Sequence, residues 1–146
     1  MPKPLANIKV LDLTRLLPGP ACTRMLADWG AEVLKIEPPE GDYANRLGLA
    51  VDAPADQVAP LYTLANRGKS VERVDLKTET GRARLLALVA ESDALVEGFR
   101  PGVMDRLGLG FAALQAINPA LVYCAITGYG SASAWAHHAG HDINYL

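Results

Sequence analysis

Apolar and polar positions along this chain fall into short blocks whose period switches as the chain is read. "IKVLDL" (8–13) is a compact apolar run, the pattern of a buried strand. "LLPGP" then turns the chain, and Pro20 suits the first position of a helix. Ala21, Met25, Leu26 and Trp29 recur at helical spacing and predict one apolar helix face, with Gly30 as the stop. "AEVLKIE" (31–37) reads as a second strand. Strand, helix and strand in so short a space form a βαβ unit, which requires a parallel pair and a right-handed crossover.

The alternation then repeats. Residues 38–60 are rich in Pro, Gly, Ala and Asp and hold no convincing period, so they read as a long loop, of the kind that is usually functional or mobile. "SVERVDL" (70–76) is a strand and "TETGRARLLALVAES" a helix. Ala83, Leu86, Ala87 and Ala90 share one face of that helix. Leu85, Leu88 and Val89 widen it, so the helix is expected to be covered on more than one side. "DALVEGF" (93–99) and "ALVYCAI" (120–126) complete a set of five strands, with short helices broken at Gly108 and Gly110 between them. Strands alternating with helices predict an α/β fold: a Rossmann-like, mostly parallel sheet with helices on both faces. Ligands in such sheets sit beyond the carboxyl ends of the strands. Here those ends are near residues 14–19, 37, 75–77, 98–100 and 127–130.

Composition narrows the function classes. The chain has 146 residues, half of them hydrophobic, with a net charge of −2. It is one domain's worth of ordinary globular sequence, and no face is obliged to be basic enough for nucleic acid. No apolar run approaches the ~18 residues of a membrane span. The start shows no apolar signal segment, so a cytoplasmic protein is expected. Cys22 and Cys124 form no CxxC and read as reduced core thiols.

Candidate chemistry lies at the strand ends. "LLPGPA" opens a helix whose backbone N–H groups could meet an anion, or it is a plain strand–helix turn; neither GxGxxG nor a P-loop is present. Arg67, Lys69, Arg73, Lys77, Arg100 and Arg106 gather near strand ends. They suit a phosphate-bearing ligand, or simply form a solvated edge. His137, His138 and His141 crowd the last ten residues. His137 and His141 have the i, i+4 spacing of a metal-binding helix, but Gly140 weakens a helix there and no Glu follows His137. No metal site is expected. His137 and His138 suit exposed positions without a role. His141 suits acid/base work, because an imidazole with a pKa of ~6.5 both takes and gives protons near neutrality.

Taken together, "VLDLTRLLPGPACTRMLADWGAEVLKIEPPEGD", "NRGKSVERVDLKTETGR", "VEGFRPGVMDRLGLG", "NPALVYCAITGYG" and "AGHDINYL" occur in the order seen in one family. The chain resembles the N-terminal part of the class III CoA-transferases (CaiB/BaiF type), the group that also contains α-methylacyl-CoA racemase. The resemblance covers nearly the whole chain outside 38–60. It implies an acyl-CoA thioester as ligand, with no cofactor beyond the CoA the substrate carries. It further implies that Val74, Asp75, Leu76 and Lys77 lie against the adenine and ribose. Gly98, Phe99 and Arg100, with Arg106 further on, would line the CoA path, and Thr127, Gly128 and Tyr129 would form a further loop at the ligand. The family commonly has a basic residue after the second strand to meet CoA phosphate. Pro38 and Pro39 stand there instead, which implies a weaker grip on phosphate or a substitute from the loop, Arg46.

"GHDINY" is similar to the racemase branch, where His141 would be one of two acid/base groups, with Gly140, Asp142, Asn144 and Tyr145 around the substrate. Proton removal next to a thioester also needs donors aimed at the enolate oxygen. The alternatives are CoA transfer between carboxylic acids and an inactive CoA-binding remnant. Members of the family have a second domain, a returning segment that completes the first, and an interlocked homodimer. Residues 1–146 are therefore expected to form a partial CoA-binding α/β domain, incomplete relative to that two-domain fold. They carry one catalytic group of a pair, and negligible turnover is expected from them alone.

Overall fold

The computed structural model describes residues 3–145, the side chains of Asp142 and Tyr145 excepted. Five parallel strands lie in the order β3-β2-β1-β4-β5. They are β1 (Lys9–Leu13), β2 (Glu32–Glu37), β3 (Ser70–Arg73), β4 (Ala94–Glu97) and β5 (Val122–Ala125). The helices are α1 (Pro18–Asp28), α2 (Pro60–Asn66), α3 (Glu79–Ala90), α4 (Val103–Arg106), α5 (Phe111–Ile117) and α6 (Asp142–Tyr145). The expected α/β architecture is present, and the strand order reverses between β1 and β4. Among the described residues no helix is long and apolar enough to cross a membrane.

Side-chain alternation along β1 builds a core on each face of the sheet. Leu11 and Leu13 join Leu95 under Leu85 and Val89 of α3 and Leu114 of α5. Val10 joins Val33 and Val96 on the opposite face, beside Leu26 and Ala27 of α1. Gly30 ends α1 as expected: its φ is +107°, and its N–H returns to the Ala27 carbonyl at 2.9 Å.

Several sequence expectations are corrected. The strand expected over 70–76 stops at Arg73. Val74 still donates to the Glu37 carbonyl at 2.7 Å, but the Asp75 carboxylate then accepts the Lys77 N–H at 3.0 Å and turns the chain into α3. Thr78 caps that helix through the Gly81 N–H. The buried residues of α3 are Gly81, Leu85 and Val89, whereas Ala83, Ala87 and Ala90 are exposed. Its alanine face is thus uncovered. On α1, Met25 and Trp29 are exposed and Thr23 is buried, because a carboxylate lies beneath it. Cys22 and Cys124 are exposed rather than core thiols; Cys124 lies on the edge strand β5, where little packs over it. The segment 38–60 contains a 3-10 helix (Tyr43–Arg46) capped by Asp42, and α2 begins at its end.

That carboxylate belongs to Asp12, at the centre of the fold. Asp12 accepts from Thr23 Oγ1 at 2.6 Å and from the Thr14 N–H at 2.9 Å. It pairs with Lys69 Nζ at 2.9 Å, and both side chains are inaccessible to solvent. Lys69 also donates to Asn66 Oδ1 and the Pro20 carbonyl. Beside it Lys35, equally buried, pairs with Asp42 at 3.2 Å and donates to the Thr14 carbonyl at 2.7 Å. Two cations thus face two carboxylates, and the three donors of the Lys69 ammonium are committed to Asp12, Asn66 and Pro20. Burial pushes the Asp12 carboxyl up, but Lys69, the two threonines and Lys35 outweigh it and hold the group below its ordinary 3.8. A lowered carboxyl contributes stability that is present above 3.8 and lost as pH falls through the folded value. Asp12→Asn leaves two ammoniums facing one carboxylate. It is expected to cost about 3–5 kcal/mol, read from urea unfolding near neutral pH; a loss below about 1 kcal/mol, the size of an exposed pair, would contradict this.

Candidate functional site

The reversal in strand order opens a groove at the carboxyl ends of β1 and β4, about 690 Å³ in volume. Residues 14–19 form one wall; Gly98, Thr127, Gly128, Gly140 and His141 contribute the other. The 14–19 turn is tightly specified. Leu16 has φ +63°, in the left-handed region where a leucine is strained. A Cβ on Gly19 would overlap the Thr14 side chain. Lys35 and Lys69 grip this turn from beneath, through the carbonyls of Thr14 and Pro20. Buried ion pairs therefore set the shape of the groove wall.

His141 is exposed and lines the groove. Its N–H donates to Asn144 Oδ1 at 3.0 Å and its carbonyl accepts the Asn144 N–H at 2.8 Å, a reciprocal clasp that orients the start of α6. Asn144 thus acts on His141 rather than lining the groove. Asp142 and Tyr145 share this turn of helix, but their side chains lie outside the described residues. His137 and His138 are exposed and away from the groove lining; His138 packs on Trp135. No group of three or more His, Cys, Asp or Glu among the described residues could hold a metal ion.

A second cavity, about 170 Å³, lies alongside. Leu13, Ile36, Val74, Leu76 and Phe99 give it apolar walls, and Arg15, Glu37, Asp75 and Lys77 its polar rim. Glu37 is not free: it accepts Tyr62 Oη at 2.6 Å and the Asp42 N–H at 3.3 Å. Burial and this carboxylate push the Tyr62 phenol well above its ordinary value.

The sequence-derived site residues thus divide. Val74, Asp75, Leu76, Lys77 and Phe99 share the apolar cavity, while Gly98, Thr127, Gly128, Gly140 and His141 share the groove. Tyr129 lies against Trp135 and lines neither. Arg100 and Arg106 are exposed and also line neither. Arg46 does not replace the missing basic residue after β2, because its guanidinium is spent on the carbonyls of Ala53, Pro54 and Gln57. Two other basic candidates are committed internally, Arg67 to Asp28 and Lys69 to Asp12. Sequence reasoning missed Arg15 and Glu37 individually, although each stands at or next to a strand end.

Residues 5–146 match the family model of CoA-transferase family III. The chain belongs to this family. It is 42% identical to acetyl-CoA:oxalate CoA-transferase of Acetobacter aceti, covering 95% of this chain and 35% of that protein. It is 41% identical to human alpha-methylacyl-CoA racemase, covering 97% of this chain and 33% of that protein. The structure superimposes on that of a CaiB/BaiF family protein from Brucella suis with a TM-score of 0.91 at 41% identity, over 98% of this chain and 38% of that one. The chain thus spans about a third of the length of the curated relatives it matches.

One further carboxylate shapes the site of this family III chain. Glu97 ends β4 and is buried. It accepts the Phe99 N–H at 2.6 Å and Tyr123 Oη at 3.2 Å, and so holds the turn that presents Phe99 to the apolar cavity. Burial pushes its carboxyl up, with Asp105 adding to this; the two hydrogen bonds pull it back only in part. A raised carboxyl stabilises fully below the ordinary 4.5 and loses that contribution as pH rises through the folded value. Relative to wild type, Glu97→Gln should therefore gain stability between about pH 4 and about pH 7, measured as urea midpoints at the two pH values. A relative loss over that range would contradict the assignment.

Proposed function

We propose that this chain forms the CoA-binding part of an acyl-CoA enzyme, with His141 moving the proton on the carbon next to the thioester. The observation that carries this reading is that His141 lines the same groove as the strained 14–19 turn, beside the apolar cavity. The adenine and ribose of CoA are assigned to that cavity, against Val74, Leu76 and Phe99, with Lys77 at its rim. The acyl thioester then lies in the groove. Neutral His141 removes the α-proton, the electron pair shifts onto the thioester oxygen, and the imidazolium returns a proton to the same carbon. Inversion of that carbon needs a second acid on the opposite face. Of the described groove-lining residues only His141 has a side chain suited to both removing and returning this proton, so these residues support exchange of the α-proton rather than its inversion.

The second reading is CoA transfer between carboxylic acids, favoured by the 42% identity to the acetyl-CoA:oxalate transferase, which matches the 41% to the racemase. That chemistry routes the acyl group through a nucleophile rather than through a proton on His141. The two readings differ in a single measurement. Incubating a 2-methylacyl-CoA in deuterated water should place deuterium at the α-carbon, and His141→Ala should slow this by about 10²- to 10⁴-fold. Transfer of CoA to an added carboxylic acid, without exchange and insensitive to His141, would establish the second reading instead.

A further inference from the structure

The two cavities share one residue. Arg15 lines both the apolar cavity and the groove that ends at His141, and among the described residues no other is common to them. Its side chain is exposed, and its guanidinium lies 5.8 Å from the centre of the Phe99 ring. That distance suits a cation resting on an aromatic face. Among the described residues the guanidinium makes no ion pair and no hydrogen bond, unlike those of Arg46, Arg67 and Arg84. Its donors are therefore available, and the Phe99 ring restrains them.

The chemistry of the ligand proposed above decides what those donors meet. CoA is a nucleotide joined through a diphosphate to a pantetheine arm that carries the thioester. With the nucleoside in the apolar cavity and the thioester near His141, the diphosphate must pass where the two cavities meet. We infer that Arg15 is the diphosphate-binding residue of this chain. The assignment rests on the CoA reading and deepens it. An arginine suits the role because its planar fork donates two parallel hydrogen bonds to phosphate oxygens, which the point charge of a lysine does not. It also gives the chain a cation for the ligand where Pro38 and Pro39 supply none after β2 and Arg46 is occupied.

The test is calorimetric binding of CoA, dephospho-CoA and pantetheine to the wild-type chain, Arg15→Ala and Arg15→Lys. Arg15→Ala should weaken CoA about 10- to 100-fold, the size of a charge-assisted phosphate contact. Dephospho-CoA, which keeps the diphosphate but lacks the 3′-phosphate, should lose as much. Pantetheine, which has no phosphate, should change less than about twofold, and Arg15→Lys should recover only part of the CoA affinity. Three results overturn the assignment while leaving the CoA reading intact. One is CoA affinity unchanged in Arg15→Ala. Another is a penalty that disappears with dephospho-CoA, which moves the contact to the 3′-phosphate. The third is an equal loss for pantetheine, which makes Arg15 a structural residue. A wild-type chain that binds none of the probes overturns the CoA reading and this assignment with it.

Discussion

Two lysine side chains, Lys35 and Lys69, end in the same dry space beneath the first strand–helix turn, and the site depends on what they touch there. Removing an ammonium from water costs several kcal/mol, which is recovered only where its donors and its charge are both met. Here Asp12 and Asp42 supply the charge, and the carbonyls of Thr14 and Pro20 each take a donor. Because those carbonyls belong to the turn itself, the ion pairs fix the conformation of the groove wall as well as joining strands. The left-handed Leu16 and the close approach of Gly19 to Thr14 are sustained by this arrangement.

The same network ties distant parts of the chain to one point. Asp12 comes from β1, Lys35 from β2, Asp42 from the loop after it, and Lys69 and Asn66 from the end of α2 and just beyond. The long segment over 38–60 is thereby drawn in at both ends, and Arg46 closes it on itself. The cost is chemical: three of the chain's basic groups near strand ends are absorbed by structure and lost to ligand binding. Arg15 and Lys77 still line the apolar cavity.

Beyond the turn, the site has two parts, the apolar cavity and the groove. The apolar cavity is walled by Leu13, Ile36 and Val74, which belong to the close-packed core, and by Leu76 and Phe99, which pack against it. The groove is closed by loop residues, with His141 held by its clasp to Asn144. The relatives include a racemase and several transferases; on the proposed reading, the cavity takes the nucleotide common to their substrates and the groove the acyl group that differs.

The sequence by itself determined the alternation of five strands with helices, the parallel sheet, the family, and the strand ends at which the site would form. Those features are local: they follow from side-chain period, from turn residues and from motifs read in order. Through resemblance it also pointed to Val74 to Lys77 for the adenine and ribose, to Gly98, Phe99 and Arg100 for the CoA path and to His141 for acid/base work; the structure separates Gly98 from Phe99 and leaves Arg100 outside both cavity linings. Only the tertiary structure decided which charged residues remained free. Lys69, Arg46 and Arg15 are alike in sequence, each a basic residue near a strand end or in a loop. One is buried against a carboxylate, one is spent on carbonyls, and one faces both cavities. The difference comes from partners far away along the chain, Asp12 from Lys69 by 57 positions, and no local pattern encodes it. The same reason explains the helix faces: Thr23 is inward because a buried carboxylate lies beneath it, Leu26 and Ala27 cover the neighbouring apolar cluster, and Met25 is left outward.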